Sequence, residues 1–304
     1  MKKLFIAVFL VLLLCFAFGC QQGQERTKVE EAKFEKEAGF AKVNGTKLYY
    51  EIAGTGEPLV LIHGWSFDSR CWESQFNIFA EKHRVLRYDL RGFGRSDLPE
   101  DGEEYSHTAD LVALIDQLKI EKANILGHSY GGRIAFDFVF NYPERTISLI
   151  LPDAAMDVTN LSTTPNEDVW AWINDTWRAG REEGIEEAKK IWINGSPLKP
   201  AMSNPQSAPL VRQMIEDYSG WHWMNDDPHI GFVGYPLERL REIKVPALIL
   251  VGELNPSIYH EWADVQNENI LNSKMEIIPD AGHALNIENS QKFNEFVLRF
   301  LSEI

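Results

Sequence analysis

Cysteine is scarce in this chain of 304 residues, which has three cysteines, at positions 15, 20 and 71. No two of them have the C-x-x-C spacing of a zinc or redox site, and three cannot build a disulfide framework. Positive charge is scarce as well, because 30 Lys and Arg stand against 45 Asp and Glu, a net charge of −15. Such a balance repels a phosphate backbone, so we expect no nucleic acid as a partner.

The hydrophobic content is that of a globular protein. With 44% hydrophobic residues, a chain of this length can bury a substantial core, in one large α/β domain or two small ones. A mainly disordered chain is therefore excluded.

The first twenty residues differ from everything after them. Lys2 and Lys3 form a positive start, and the stretch from Leu4 to Phe18 is almost unbroken in its apolar character. This run is shorter than the ~20 residues that a bilayer span needs, and a polar segment follows it directly. The pattern is typical of a signal peptide and predicts export.

The end of this segment, Ala17-Phe18-Gly19-Cys20, resembles a bacterial lipobox, although that motif usually has Leu at the position of Ala17. The resemblance implies cleavage before Cys20, lipidation of that cysteine, and a membrane-anchored lipoprotein on the extracytoplasmic side. Ordinary secretion is the alternative. The next residues, up to 38, are charged and poor in large apolar groups, which favours a tether.

From Phe40 onward, strand and helix signals alternate without an internal repeat. An opening hairpin turns at Asn44-Gly45. Short apolar runs typical of strands buried on both faces follow at Leu59 to Ile62, Val85 to Tyr88, Ala123 to Leu126, Ile147 to Leu151, Ala247 to Val251 and Met275 to Ile278. Helical periodicity lies between several of them, which predicts a doubly wound, mostly parallel α/β sheet.

One interval, from about Ala154 to Tyr235, shows no strong strand signal. It carries six tryptophans and several short helical stretches. We expect a helical lid there, over the strand ends where open α/β sheets bind ligands. Most of the tryptophans are expected to hold this lid together, with one or two facing a pocket. His107, near the start of a helix, is predicted to be a capping or surface residue.

The segment Gly127-His128-Ser129-Tyr130-Gly131 concentrates the chemistry. It has the G-x-S-x-G pattern, an apolar strand enters it, and a helical pattern leaves it. Ser129 therefore falls on the strand-to-helix turn that a nucleophile elbow requires. The flanking glycines leave room for a strained turn that exposes the hydroxyl.

Other motifs appear in a fixed order around this elbow. His63-Gly64-Trp65 ends one strand, a glycine-rich segment follows Tyr88, and Ala281-Gly282-His283 follows the last strand. Together these motifs resemble the α/β-hydrolase fold family, closest in style to its lidded esterase, lactonase and carbon–carbon-bond hydrolase branch. This resemblance and the N-terminal pattern together predict three segments: signal peptide 1–19, lipidated N-terminus and tether 20–38, and a hydrolase domain 39–304 that includes the lid at about 154–235.

The resemblance also implies roles for individual residues. Ser129 would attack a carbonyl, and His283 would take its proton and return one to the leaving group. The backbone N–H groups of Trp65 and Tyr130 would form the oxyanion hole. A serine nucleophile indicates acyl transfer to water, since epoxide hydrolases and haloalkane dehalogenases of this fold use aspartate.

The acid of the triad departs from the family pattern. Similar hydrolases commonly place an aspartate at the position of Asn255, and an amide brings no negative charge to stabilise an imidazolium. An Asp-to-Asn change in such a triad costs about 10⁴-fold in turnover. Asp153, at the end of the preceding strand, is the preferred acid; Asn255 as an uncharged orienting residue comes second, and Glu253 is a weaker substitute.

The sequence therefore predicts an enzyme, a serine hydrolase acting on a small carboxylic ester or related acyl compound. Carbon–carbon-bond hydrolysis and lactone hydrolysis by the same triad are alternatives. A noncatalytic lipoprotein that uses the hydrolase scaffold to bind a ligand or partner is another. No cofactor is expected, and no metal, because His222 and His229 lack partners at metal-ligand spacing.

Overall fold

The computed structural model describes residues 35–156, 158–159, 167–231 and 235–304. The predicted signal peptide, Cys20 and most of the predicted tether lie outside the described residues. Ten strands are present in the described part: β1 (Lys36–Val43), β2 (Thr46–Ala53), β3 (Pro58–Ile62), β4 (Arg84–Tyr88), β5 (Ala123–Gly127), β6 (Thr146–Pro152), β7 (Val158–Thr159), β8 (Tyr235–Pro236), β9 (Ala247–Gly252) and β10 (Ser273–Ile278).

Eight of these strands form one sheet, in the order β1-β2-β4-β3-β5-β6-β9-β10. From β4 to β10 all neighbours are parallel, and β2 runs antiparallel to both β1 and β4. Every residue of β5 and β9 is buried. Their continuous apolar sequences follow from this position, because helices cover both faces of the sheet. The predicted doubly wound, mostly parallel fold is confirmed.

The opening hairpin turns where the sequence predicts, with Asn44 and Gly45 at φ values of 43° and 75°. Its first strand begins at Lys36, three residues before the predicted start of the domain at 39. Lys36 pairs with Ala53 in the ladder, and its amine lies 2.9 Å from the carboxylate of Glu51. The charged character of this segment therefore does not prevent it from joining the sheet edge.

Eleven α-helices are present in the described residues: α1 (Glu73–Ala80), α2 (His107–Gln117), α3 (Tyr130–Asn141), α4 (Glu167–Glu182), α5 (Ile185–Ile193), α6 (Lys199–Ser203), α7 (Ala208–Asp217), α8 (Trp221–Met224), α9 (Ser257–Asn269), α10 (Leu285–Glu288) and α11 (Ser290–Glu303). Short 3₁₀ helices span Ser69–Trp72, Pro143–Arg145, Ser196–Leu198 and Leu237–Glu242. None of the described helices is both long enough and apolar enough to cross a membrane.

The start of α2 differs from its prediction in one respect. Ser106 is the capping residue, since its hydroxyl accepts a hydrogen bond from the Ala109 N–H. His107 is neither a cap nor a surface residue, because only 1% of it is exposed. Its ring packs among Tyr105, Tyr130 and His229, so tertiary contacts override the polar character of the side chain.

Helices α4 to α8 lie in the insertion that the sequence predicts between β6 and β9, and we call this insertion, with the turns between its helices, the lid. The short strands β7 and β8, which the sequence does not indicate, pair in parallel where the chain enters and leaves this insertion. A two-residue strand carries no periodicity, which explains why the pattern missed it. The helices themselves are amphipathic, and their buried faces carry tryptophan, methionine and aliphatic side chains.

Candidate active site

Ser129 lies at the turn between β5 and α3, with φ 53° and ψ −113°. A non-glycine residue adopts such a backbone only when its surroundings hold it there. Close packing supplies that constraint: a Cβ on Gly131 would lie 2.5 Å from the Ile62 carbonyl oxygen. The strand-to-helix turn predicted for the G-x-S-x-G pattern is therefore present, and it presents the serine side chain at the carboxyl end of the sheet.

His283 comes from the loop after β10, and its Nε2 lies 2.8 Å from Ser129 Oγ. The two residues are 154 positions apart in the chain. Both strands that lead to them are parallel members of one sheet, so both side chains arrive at the same edge. The structure thus brings together the hydroxyl and the imidazole that the sequence singles out.

The backbone around His283 is fixed by contacts that sequence analysis did not find. The Glu288 carboxylate accepts hydrogen bonds from the N–H groups of Gly282 and Ala284, each at 2.9 Å. His128 Nε2 lies 2.7 Å from the His283 carbonyl oxygen, to which it donates. Glu288 is five residues after His283, in the first turn of α10. An acidic residue so close to the histidine and to a helix start is the sequence signal from which this contact could have been predicted.

The lid also contacts this loop. The His283 N–H donates to the carbonyl of Pro197 at 3.3 Å, and the Pro200 ring lies against Gly282, where a Cβ would meet it at 2.6 Å. The position of the imidazole therefore depends on the lid as well as on the sheet. No local pattern in the sequence predicts this contact.

Asp153, directly after β6, has its Oδ2 atom 3.4 Å from His283 Nδ1. Its backbone has a φ of 44°, and its side chain is inaccessible to solvent. Asn255 does not face the imidazole as an acceptor: its Nδ2 donates to the same Asp153 oxygen at 2.7 Å. The Gly252 N–H donates to the other oxygen at 3.2 Å. Of the two candidate acids, Asp153 is the one that lies beside His283 Nδ1.

Glu253, the weaker substitute, lies elsewhere. It is exposed, and its carboxylate accepts a hydrogen bond from the Asp280 N–H at 3.0 Å. Glu253 lies in the turn after β9, so its side chain follows this turn to the Asp280 backbone and not to the imidazole.

Burial dominates the electrostatics of this group. It lowers the pKa of His283, so the imidazole is neutral at pH 7 and can accept a proton. It raises the pKa of Asp153 to about 7, opposed by the hydrogen bonds from Asn255 and Gly252 and by the nearby His128. The hydrogen-bond donors around Asp153 therefore favour its ionised form in a site that otherwise disfavours charge.

Trp65 and Tyr130 are the residues whose backbone N–H groups the sequence predicts for an oxyanion hole. Tyr130 is the first residue of α3, and the first N–H groups of a helix point out of its N-terminus. Gly64, before Trp65, packs on the elbow, since a Cβ there would lie 3.2 Å from Ser129 Cβ. Ser66 follows at φ 60°, and its hydroxyl accepts a hydrogen bond from Trp192 Nε1 of the lid at 2.7 Å.

A cavity of about 430 Å³ opens onto Ser129 and His283. Its wall is mainly aromatic, and more lid tryptophans reach it than expected. Four of the six line it, Trp170, Trp172, Trp177 and Trp192, whereas the sequence predicts that most of them pack within the lid. They do both: the Trp172 and Trp192 rings stack 4.1 Å apart, and Trp192 also packs on Trp223.

One group of potential metal ligands comes together among the described residues. His128, Asp153 and His283 bring ligand atoms within 4.8 Å of one another. The rings are already engaged, His283 with Ser129 and His128 with the His283 carbonyl. This cluster is thus the hydroxyl–imidazole–carboxylate array itself, an arrangement able to transfer a proton and to stabilise the imidazolium that results.

Known proteins resemble the chain over most of its length. A putative 2-succinyl-6-hydroxy-2,4-cyclohexadiene-1-carboxylate synthase of Bacillus subtilis is 28% identical over 275 residues, which are 84% of this chain and 95% of that protein. A pimeloyl-[acyl-carrier protein] methyl ester esterase of Pectobacterium carotovorum is 27% identical, over 83% of this chain and 98% of its own.

Solved structures resemble the fold in the same way. The enol-lactonase of Burkholderia xenovorans superposes with a TM-score of 0.73 at 25% identity, covering 87% of this chain and all of the other. A thermophilic esterase of Thermogutta terrifontis gives 0.71 at 26% identity, covering 90% and 99%. The model of the alpha/beta hydrolase family matches residues 59–296, and all four of these relatives have enzyme names, three of them esterases or lactonases. The chain is therefore an enzyme that belongs to the alpha/beta hydrolase family.

Proposed function

We propose that this enzyme is a serine hydrolase that cleaves a carboxylic ester or related acyl compound through Ser129, His283 and Asp153. The observation that carries the proposal is the 2.8 Å contact between Ser129 Oγ and His283 Nε2 at a strained elbow. A hydroxyl is a weak nucleophile until a base takes its proton, and here a neutral imidazole lies within hydrogen-bond distance.

In the first step Ser129 Oγ attacks the carbonyl carbon while its proton passes to His283 Nε2. The imidazolium that forms donates from Nδ1 toward Asp153 Oδ2, whose negative charge stabilises it. The present separation of 3.4 Å is longer than a hydrogen bond, and such bonds tighten in the substrate complex. Asn255 holds the same oxygen from the other side, so the carboxylate stays directed at the imidazole.

The carbonyl oxygen gains negative charge during this attack. The N–H groups of Trp65 and Tyr130 would stabilise it, together with the positive end of the α3 dipole. Removal of one such donor costs about 10²- to 10³-fold in turnover in comparable sites.

The tetrahedral intermediate collapses when His283 gives its proton to the leaving alcohol. The bond between the carbonyl carbon and the leaving oxygen breaks, and the acyl group stays on Ser129. A water molecule then attacks the acyl-enzyme, with His283 acting as base again, and the carboxylic acid leaves.

The lining of the cavity supports a substrate with an apolar or aromatic part. Four lid tryptophans and Met156 form much of its wall, and indole surfaces bury large apolar areas. The same attack opens a lactone, and the relatives include an enol-lactonase as well as esterases. Lactone hydrolysis is therefore the second candidate.

We also propose that Cys20 is lipidated and that the enzyme is anchored to a membrane outside the cytoplasm. The support is the sequence alone, a positive start, an apolar run of signal-peptide length and the lipobox-like end. Two or more acyl chains on one residue give stable anchoring. Expression of wild type and Cys20→Ala with radiolabelled palmitate tests this: label and membrane association lost only in the variant would support it, and an unlabelled wild type would refute it.

Labelling with a fluorophosphonate tests the hydrolase proposal. We expect the wild type to be modified and Ser129→Ala to remain unmodified, with equal circular dichroism spectra for both proteins. A folded wild type that is neither labelled nor able to hydrolyse p-nitrophenyl esters would instead favour a noncatalytic binding role. The acyl-chain length of the best ester substrate would then bound the substrate class.

A further inference from the structure

A chain of hydrogen bonds that none of the proposed catalytic steps uses runs from the lid to the cavity. Tyr218 O–H lies 2.8 Å from His222 Nδ1, His222 Nε2 lies 3.5 Å from the Tyr105 hydroxyl, and that hydroxyl donates to Asp227 Oδ1 at 2.9 Å. The Tyr105 hydroxyl donates its hydrogen bond to Asp227, so its oxygen can accept one from His222. Every donor and acceptor of the chain therefore has a partner when His222 is neutral and protonated at Nε2. All donors then point toward Asp227.

This hydrogen-bonded chain is largely buried. Tyr105, Tyr218 and His222 are each less than 5% exposed, and burial lowers the pKa of His222 to about 3, which keeps it neutral. The His222 ring stacks on Phe93 with centroids 4.5 Å apart. Burial of so many polar groups is costly and offers no packing advantage over apolar side chains, so the chain points to a role in binding.

The chain ends at a carboxylate that lines the cavity of Ser129. Asp227 Oδ1 accepts both the Tyr105 hydroxyl and the His229 N–H, the latter at 3.1 Å. Among the described residues, no hydrogen bond or ion pair is made to Asp227 Oδ2. Desolvation raises the pKa of Asp227, and the two hydrogen bonds to Oδ1 oppose that shift. Oδ2 is therefore an acceptor held in place in a mainly aromatic cavity.

A ligand that donates a hydrogen bond to Oδ2 would offset the desolvation of this carboxylate. Aromatic walls alone would also suit an ammonium group. An ammonium group, however, would lose its hydration on reaching Oδ2 between these walls, and desolvation of a charge costs far more than desolvation of a hydroxyl. A neutral O–H donor therefore fits this mainly aromatic cavity better.

Resting on the proposed hydrolase function, we propose that Asp227 is a specificity-determining residue that binds a hydroxyl group carried by the apolar part of the substrate. The enzyme would then prefer hydroxylated esters to their unsubstituted counterparts. The preference arises because an unsubstituted substrate leaves Asp227 desolvated and without a donor.

The test compares pairs of esters that differ by one hydroxyl. One series carries it along the acyl chain, as p-nitrophenyl esters of C4 to C8 acids and their ω-hydroxy forms. The other carries it on the alcohol, as butanoates of C4 to C8 alcohols and the matching diols. We expect at least one pair in which the wild type favours the hydroxyl by tenfold or more in kcat/KM. The analogue that carries an ammonium group in place of the hydroxyl should show a smaller increase in kcat/KM over the unsubstituted ester.

Asp227→Asn replaces the Oδ2 acceptor by an amide donor if Oδ1 keeps its partners. We expect this variant to lose the preference, with kcat/KM falling about tenfold or more for the hydroxylated ester and less than threefold for its partner. The neighbouring Asp226→Asn is the matched control, because Asp226 is exposed and pairs with Arg181 on the surface. Tyr105→Phe should reduce the preference partly, since Asp227 loses one of its two supports.

The outcomes separate the two proposals. A wild type that is labelled at Ser129 and hydrolyses esters, yet shows no pair with a preference, overturns the role of Asp227 alone. The same holds if Asp227→Asn slows both members of a pair equally. A wild type without labelling or turnover overturns the hydrolase proposal, on which this one rests.

Discussion

Asp153 and Asn255 follow neighbouring strands, β6 and β9. One oxygen of Asp153, Oδ2, lies between the His283 imidazole and the Asn255 amide. In this arrangement the charge comes from Asp153, and Asn255 directs it. The hydrogen bond from Asn255 also favours the ionised carboxylate, which burial disfavours. The two residues therefore have different tasks, and their substitutions should have different signatures.

We expect Asp153→Asn to lower kcat by about 10³- to 10⁴-fold, because the imidazolium loses its counter-charge. Asn255→Ala should lower kcat less at pH 8, but it should shift the acidic limb of the pH profile of kcat/KM to higher pH. Since the pKa of Asp153 lies at about 7, kcat/KM of the wild type falls as pH drops through that value. Without the Asn255 donor the pKa rises further, so the loss begins at higher pH.

Hydrolysis of p-nitrophenyl butyrate between pH 5 and 9 by the three proteins measures both effects. A greater loss in Asn255→Ala than in Asp153→Asn would contradict the assignment of the acid. An unchanged acidic limb in Asn255→Ala would contradict the role of its amide.

Much of this site follows from sequence, because residues at a strand-to-helix turn or directly after an apolar run have a fixed place in a parallel sheet. Ser129, His283 and Asp153 are of this kind. The orientation of the Asn255 amide is not, since it depends on a contact 102 residues away in the chain. Asp227 was not predicted for the same reason, because the hydrogen bonds that hold its carboxylate come from Tyr105 of the core and His229 of the lid.

At the scale of elements, the loop between β10 and α10 is held from three sides. Glu288 accepts two of its N–H groups, His128 donates to a carbonyl, and Pro197 of the lid accepts a third N–H. Such a loop lacks regular hydrogen bonding of its own, so these contacts fix the position of His283.

Glu288→Ala should lower both stability and activity. It leaves the buried N–H groups of Gly282 and Ala284 without an acceptor, at a cost of about 1–3 kcal/mol each in the free energy of unfolding. We expect the rate of fluorophosphonate labelling to fall as well, because His283 loses its fixed position. Urea denaturation and labelling kinetics measure the two effects.

Glu268→Ala, at an exposed position of α9, is the surface control. It should change the free energy of unfolding by less than about 0.5 kcal/mol. If Glu288→Ala behaved like this control in both measurements, the support of His283 by Glu288 would be refuted.

At the scale of the whole molecule, the lid and the core meet through aromatic side chains. His107 of the core stacks on His229 beyond α8, with ring centroids 4.8 Å apart, and Trp192 bonds to Ser66. Both nitrogens of His107 are buried, and no hydrogen-bond partner for them exists among the described residues. Hydrophobic periodicity places each helix correctly but carries no information on such contacts between distant segments.

This buried histidine predicts a loss of stability in acid. Burial lowers the pKa of His107 well below its usual range, whereas the unfolded chain titrates near 6.5. Below that pH the unfolded state binds a proton that the folded state excludes, so stability falls by about 1.4 kcal/mol per pH unit for this group. His107→Phe keeps an aromatic ring at this position and removes the effect.

Urea denaturation of wild type and His107→Phe at pH 8 and pH 5 checks the prediction. The free energy of unfolding of the variant should rise relative to that of the wild type as the pH falls. An equal pH dependence in both proteins would show that His107 does not contribute.

The pairing of β7 with β8 brings the two ends of the lid side by side. A segment whose termini are adjacent can be exchanged for another without moving the scaffold that carries it. Transplanting residues 160–234 into a related hydrolase, with the β7–β8 pair kept, should therefore transfer the substrate preference of this enzyme.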